Sequence, residues 1–238
     1  LLASEEYEFM IDIAVVDYGM GNLRSVAKAL EHVAPTKVIT VTSDPAVIGG
    51  AERIVFPGQG AMPDCMREMD ARGLRAPLLE AARTRPFLGL CIGLQMLFER
   101  SEEGDTQGLG VLPGKVVRFP IGGRDRSELG EKLKVPHMGW NEVYQAMPHP
   151  MWEGIADGSR FYFVHSYYVV TLDDTLVAGT SLYPSRFTCA VARNNIFAVQ
   201  FHPEKSQSAG LRLLSNFVSW NGAKRAPAQA GAVPAANV

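Results

Sequence analysis

Between Ile11 and Cys91, apolar β-branched runs alternate with amphipathic helical patterns, and this alternation restricts the fold more than any other feature of the chain. Residues 11–19, IDIAVVDYG, are nearly continuously apolar, as expected of a strand buried on both faces. Gly19 and Gly21 supply a turn, after which Leu23, Val26, Ala27, Leu30 and Val33 recur at helical spacing on one face. KVITVTS (37–43), RIVFPG (53–58) and PFLGL (86–90) read as further strands, the last preceded by a helical stretch rich in Ala, Leu and Arg. Strands alternating with helices predict a mostly parallel sheet covered on both sides.

The second half reads differently. Residues 110–119, 132–143, 160–170, 176–183, 187–194 and 196–202 look like successive strands with short turns, one of them at Asn194-Asn195. The expected fold is therefore α/β, a central mostly parallel or mixed sheet flanked by helices, with an antiparallel extension in the C-terminal half. A last helix over 206–220 is expected to turn Leu211, Leu214, Phe217 and Val218 inward. No internal repeat or linker divides the chain, so a single domain over 10–222 is expected. Residues 1–9 read as an N-terminal extension, native or a cloning remnant, and 223–238 as a disordered Ala/Pro/Gly-rich tail. The polar segment IGGRDRSELGEK (121–132) reads as an exposed loop.

Charge and cysteine usage exclude several function classes. A net charge of −2 without a dense basic cluster gives no footprint for nucleic acid. No apolar run approaches the roughly 20 residues that cross a bilayer. Cys65, Cys91 and Cys189 are widely spread without a CxxC pair, so neither a disulfide framework nor a metal site is expected. A reduced, cytoplasmic setting fits them.

One of these cysteines sits in GLCIG (89–93), where a strand runs directly into a helix between two glycines. That arrangement suits a nucleophile elbow, with the sulfur at a helix start on the ligand-binding edge of the sheet. A buried cysteine in a Gly-rich packing contact fits the pentapeptide as well. A nucleophile needs a base and an orienter. His32, near a helix end, and His149, in MPHP, read as surface residues. His202 follows a strong strand pattern in FHPE (201–204), and extended backbone would put Glu204 on its face, two residues on. A lone HxE is also often incidental. The third strand ends in PGQG (57–60), which suits an oxyanion-binding turn beside the elbow or a plain Pro-Gly turn.

GLCIG, PGQG and FHPE, in their order and separation, resemble a class I (triad-type) glutamine amidotransferase domain over nearly the whole chain, about 11–220. More narrowly, DYGMGNLRSV (17–26), SEEG (101–104), VPHMGWN (135–141) and FVHSYY (163–168) resemble the glutaminase subunits of imidazole glycerol phosphate synthases. The resemblance implies that Cys91 attacks the carboxamide of L-glutamine, that His202 relays protons, and that Glu204 orients His202. It implies an oxyanion and glutamine site at Gly58, Gln59 and Gly60, with Gln95, Glu103, His165, Ser166 and Tyr167 on its other walls. The family commonly has valine where this chain has Gln59; the oxyanion donors are backbone groups, so the side chain need not remove them.

The resemblance also implies a heterodimer with a separate (β/α)8 cyclase subunit, which receives the ammonia for histidine biosynthesis, and an interface near Asn22, Met138 and Trp140. No cofactor is expected. Partner-dependent activation follows from the same resemblance, and a flipped PGQG peptide that leaves the oxyanion hole incomplete until the partner and its ligand bind is the expected device. Competing readings are the glutaminase of another amidotransferase, a Cys-His hydrolase on a related sheet, and a noncatalytic subunit that kept the fold.

Overall fold

The computed structural model describes residues 11–120 and 134–223. The expectations for residues 1–9, for the loop at 121–132 and for the tail from 224 lie outside the described residues. The first half forms β1 (Ile13–Val16), α1 (Leu23–Val33), β2 (Ile39–Thr42), α2 (Pro45–Gly50), β3 (Arg53–Gly58), α3 (Met62–Ala71), α4 (Arg75–Thr84) and β4 (Phe87–Cys91). These are the anticipated alternating elements, with differences between β2 and β4. The helical stretch before β4 is two helices, broken at Gly73 in the left-handed region (φ 67°). Short α2 had no apolar periodicity to reveal it; Pro45 occupies its first turn and Asp44 caps it by accepting from the Ala46 N–H at 2.8 Å.

After β4 come α5 (Ile92–Met96), β5 (Phe98–Ser101), β6 (Thr106–Gln107), β7 (Leu112–Arg118) and β8 (His137–Gln145). Then follow β9 (Ser159–His165), β10 (Tyr167–Thr171), β11 (Val177–Leu182), β12 (Arg186–Arg193), β13 (Ile196–Val199) and α6 (Gln207–Ser219). The helix expected after Cys91 is present but short: α5 is barely more than a turn, and the chain re-enters the sheet as β5. Residues 160–170 are likewise two strands, interrupted at Ser166. Short, wholly buried apolar runs carry no period that separates helix from strand.

The main hydrogen-bonded path runs β2-β1-β3-β4-β13-β12-β10-β7-β5-β6. From β2 to β13 every neighbour is parallel, and from β13 to β7 every neighbour is antiparallel. Off that path, β11 joins β12 to β8, and β8 pairs with β9. The expected mixed sheet with a C-terminal antiparallel extension is the observed one, and the β12–β13 hairpin turns at Asn194, φ 50°.

Alternation along the parallel strands divides the core. Ala14, Val16, Ile54, Phe56 and Phe87 face α2, α3, α4 and α5, whereas Ile13, Val15, Val55, Leu88 and Leu90 face α1 and α6. Helix α6 buries Leu213, Leu214 and Phe217; Leu211 and Val218, expected inside, are only partly buried at the margin. No helix among the described residues is long and apolar enough to cross a membrane.

Candidate active site

β3 and β4 lie side by side and end together, with Gly58 opposite Cys91. β13 flanks β4 on the other side, Val199 opposite Leu90, so residues 200–204 pass over the same carboxyl edge. Parallel topology thus brings the three motifs of the sequence to one place.

Cys91 closes β4 and caps α5 with φ 54° and ψ −111°, a region that L-residues seldom occupy. The elbow is sharp because its glycines allow it. A Cβ on Gly93 would sit 1.9 Å from the Phe56 carbonyl oxygen, and one on Gly89 2.9 Å from the Ala198 Cβ. A Cβ on Gly58 would meet the Tyr18 hydroxyl at 2.6 Å and the Ile92 Cβ at 2.7 Å. The neighbouring turn is held from both ends: Tyr18 donates to the Pro57 carbonyl at 2.8 Å and Cys65 Sγ to the Gln59 carbonyl at 3.6 Å.

His202 is fixed by its backbone N–H, which donates to the Tyr162 carbonyl at 2.9 Å, and by its carbonyl, which accepts from Ser206 Oγ at 2.6 Å. Its Nδ1 lies 2.9 Å from Glu204 Oε1. A carboxylate accepts, so Nδ1 carries the proton and Nε2 is left buried without a hydrogen-bond partner. The pairing was expected; its stated cause was wrong. β13 stops at Val199, and Pro203–Lys205 is a turn of 3-10 helix that folds Glu204 back against the imidazole. Burial alone would lower the His202 pKa, but the Cys91 sulfur and then the Glu204 carboxylate outweigh it and push it up to about 10.

A cavity of about 210 Å³ opens beside these groups, below the roughly 300 Å³ at which pockets for drug-sized ligands begin. Cys91, His202, Gln59, Gly60, Gln95, Glu103, His165, Ser166 and Tyr167 line it, as the sequence led one to expect, together with Ile92, Pro136 and Val164. Gly58 and Glu204 instead line a small adjoining recess that also reaches Asn22. Gln95 is oriented unambiguously: its Nε2 lies 3.2 Å from the Tyr167 carbonyl, which can only accept. Its Oε1 is buried and unpaired, an acceptor available to a ligand N–H. Glu103 already accepts from the Met62 N–H at the start of α3, at 2.9 Å.

Three features escaped the sequence reading. His149 is not a surface residue; it is buried between Phe197 and Trp220, at ring separations of 4.8 and 5.2 Å. His165 is paired with His137 at 2.9 Å, and burial drives their pKa values down to about 3 and about 4. Gln200, wholly buried, reaches Cys91 Sγ with Nε2 at 3.7 Å. The expected interface residues Met138 and Trp140 lie on β8, 62% and 38% exposed.

The chain belongs to the class-I glutamine amidotransferase family, whose model matches residues 14–220. A relative from Aromatoleum aromaticum, named imidazole glycerol phosphate synthase subunit HisH, is 68% identical over 211 residues, covering 89% of this chain and 99% of the relative. A relative of the same name from Thiobacillus denitrificans is 66% identical over 218 residues, covering 92% and 95%. A crystal structure of a glutamine amidotransferase superposes with a TM-score of 0.65 at 16% identity, covering 87% of this chain and 99% of that one, which speaks for the fold alone.

Proposed function

We propose that the chain is the glutaminase subunit of an imidazole glycerol phosphate synthase, releasing ammonia from glutamine for the cyclase subunit in histidine biosynthesis. The observation that carries the reading is the meeting of Cys91 with a Glu204-held His202 on one wall of a cavity sized for a small metabolite. The high identity to relatives named subunit HisH supports this synthase over other amidotransferases.

With the Cys91 proton held on His202 Nε2, the sulfur attacks the glutamine carboxamide carbon. Backbone N–H groups of 58–60 stabilise the oxyanion, a kind of contact for which loss of one donor typically costs about 3–4 kcal/mol. The C–N bond breaks as His202 returns the proton to the leaving ammonia, leaving a γ-glutamyl thioester. Water, deprotonated by the same imidazole, cleaves it to glutamate and restores the thiol. Glu204 keeps Nδ1 protonated throughout. Gln95 Oε1 accepts from the substrate, and Glu103 pairs with its ammonium group.

The ammonia passes to a (β/α)8 partner that docks near Asn22, Met138 and Trp140; an exposed Met and Trp on one strand suit interface anchors. The test is to mix the chain with the cyclase subunit, its nucleotide substrate and glutamine, and to measure glutamate. Cys91→Ala should abolish glutamine-dependent synthesis and spare synthesis from added ammonium salt. Loss of both, in a folded complex, would contradict the assignment.

A further inference from the structure

Gln200 has no part in the triad, yet it occupies the position next to the nucleophile with its side chain fully buried. Which end of its carboxamide faces the sulfur follows from its neighbours. The Tyr167 carbonyl cannot donate, so the group 3.2 Å from it on Gln95 is the NH2. The second N–H of that NH2 points to Gln200 at 3.0 Å, and the atom receiving it must be Oε1. The remaining end of Gln200 is then Nε2, 3.7 Å from Cys91 Sγ. A backbone carbonyl thus sets the direction of every bond in the series Tyr167, Gln95, Gln200, Cys91. The Gln200 backbone is anchored as well, its N–H donating to the Cys189 carbonyl at 2.8 Å.

We propose that Gln200 is a further catalytic residue, a fixed N–H donor to the Cys91 sulfur that favours its anionic form. The inference rests on the glutaminase reading for its place in the reaction. Sulfur carries negative charge when its proton has moved to His202, and again when the thioester C–S bond breaks and the electron pair returns to sulfur. Gln200 would meet both moments without reorganising, because Gln95 holds its amide and the Cys189 carbonyl on β12 holds its backbone N–H. Gln95 is placed to link substrate to nucleophile: its Oε1 faces a ligand while its NH2 orients the sulfur's donor.

The experiment is alkylation of Cys91 by iodoacetamide at pH 7 in the full chain, which needs neither glutamine nor partner. Gln200→Met keeps the side-chain length and removes the donor. Hydrogen bonds to charged groups are worth enough that its Cys91 alkylation should slow about tenfold, and kcat for glutamine should fall similarly with KM little changed. Alkylation at the wild-type rate in the folded variant overturns the proposal. Should that variant not fold, the Gln200 carboxamide N–H resonances of the wild-type chain decide. They should move when Cys91 is replaced by Ala, and unmoved resonances overturn the proposal. Slowed alkylation in a chain without any glutaminase activity would instead retain Gln200 as the sulfur's donor and sink the reading of the reaction.

Discussion

Cys91 carries a Cβ at φ 54° and ψ −111°, and the strain this implies can be measured by comparing Cys91→Ala with Cys91→Gly. Both variants lack the sulfur, so they differ only by the methyl group and the backbone freedom of glycine. At an ordinary buried position, exchanging Ala for Gly costs about 0.5–1 kcal/mol in backbone entropy and about 0.8 kcal/mol in lost burial. The ordinary penalty is therefore about 1.3–1.8 kcal/mol. A non-glycine residue held in a sparsely populated region costs about 1–3 kcal/mol, which glycine recovers. Most or all of the penalty should vanish, leaving the Gly variant between about 0.8 kcal/mol less stable and about 1.7 kcal/mol more stable than the Ala variant. Urea unfolding with linear extrapolation reads the difference directly. A Gly variant weaker by the full ordinary penalty would refute the strained elbow.

Other consequences are independent of that one. Gly93→Ala would drive a Cβ to 1.9 Å from the Phe56 carbonyl, where backbone cannot yield cheaply, and should cost about 3 kcal/mol or more in the same unfolding assay. Gly49→Ala on α2, with nothing within 4 Å, should be neutral or slightly stabilising. The neutral His137–His165 pair should make the fold acid-sensitive. The unfolded histidines take up protons below about pH 6.5 and the folded ones only near 4 and 3, so stability is full above 6.5 and falls as pH drops toward 3. Melting temperatures from pH 7 to 4 should fall less steeply for His137→Gln than for wild type; equal slopes would count against the pair. Double replacement of Met138 and Trp140 by Ala should weaken cyclase binding by about 2 kcal/mol, roughly 30-fold, by calorimetry, without loss of stability.

The parallel half was legible because its strands are buried on both faces and its helices carry a one-sided apolar stripe. GLCIG announced the elbow through its glycines, whose absent side chains leave room for Phe56 and Ala198 from other strands. FHPE gave the right pair of residues for the wrong reason, since a 3-10 turn rather than extended backbone joins His202 to Glu204. His149 was hidden by its prolines: MPHP looks like a surface turn, and only Phe197 and Trp220, distant in sequence, bury it. Gln200 and the His137–His165 pair left no local signal, because each acquires its partner only when β13 meets β4 or β8 meets β9. Sequence spacing reports local geometry; contacts made by sheet topology lie beyond it.

If Cys91 is the nucleophile for glutamine, a glutamine analogue carrying an electrophilic diazoketone in place of the carboxamide should single it out among the three thiols. Burial pushes the Cys65 thiol up to about 11 and the Cys189 thiol higher still, which keeps both protonated and shielded. Peptide mapping after reaction in the presence of the cyclase subunit should therefore find one adduct, on Cys91, suppressed by excess glutamine. An adduct on Cys65 or Cys189 instead, or labelling of Cys91 that glutamine does not suppress, would contradict the account.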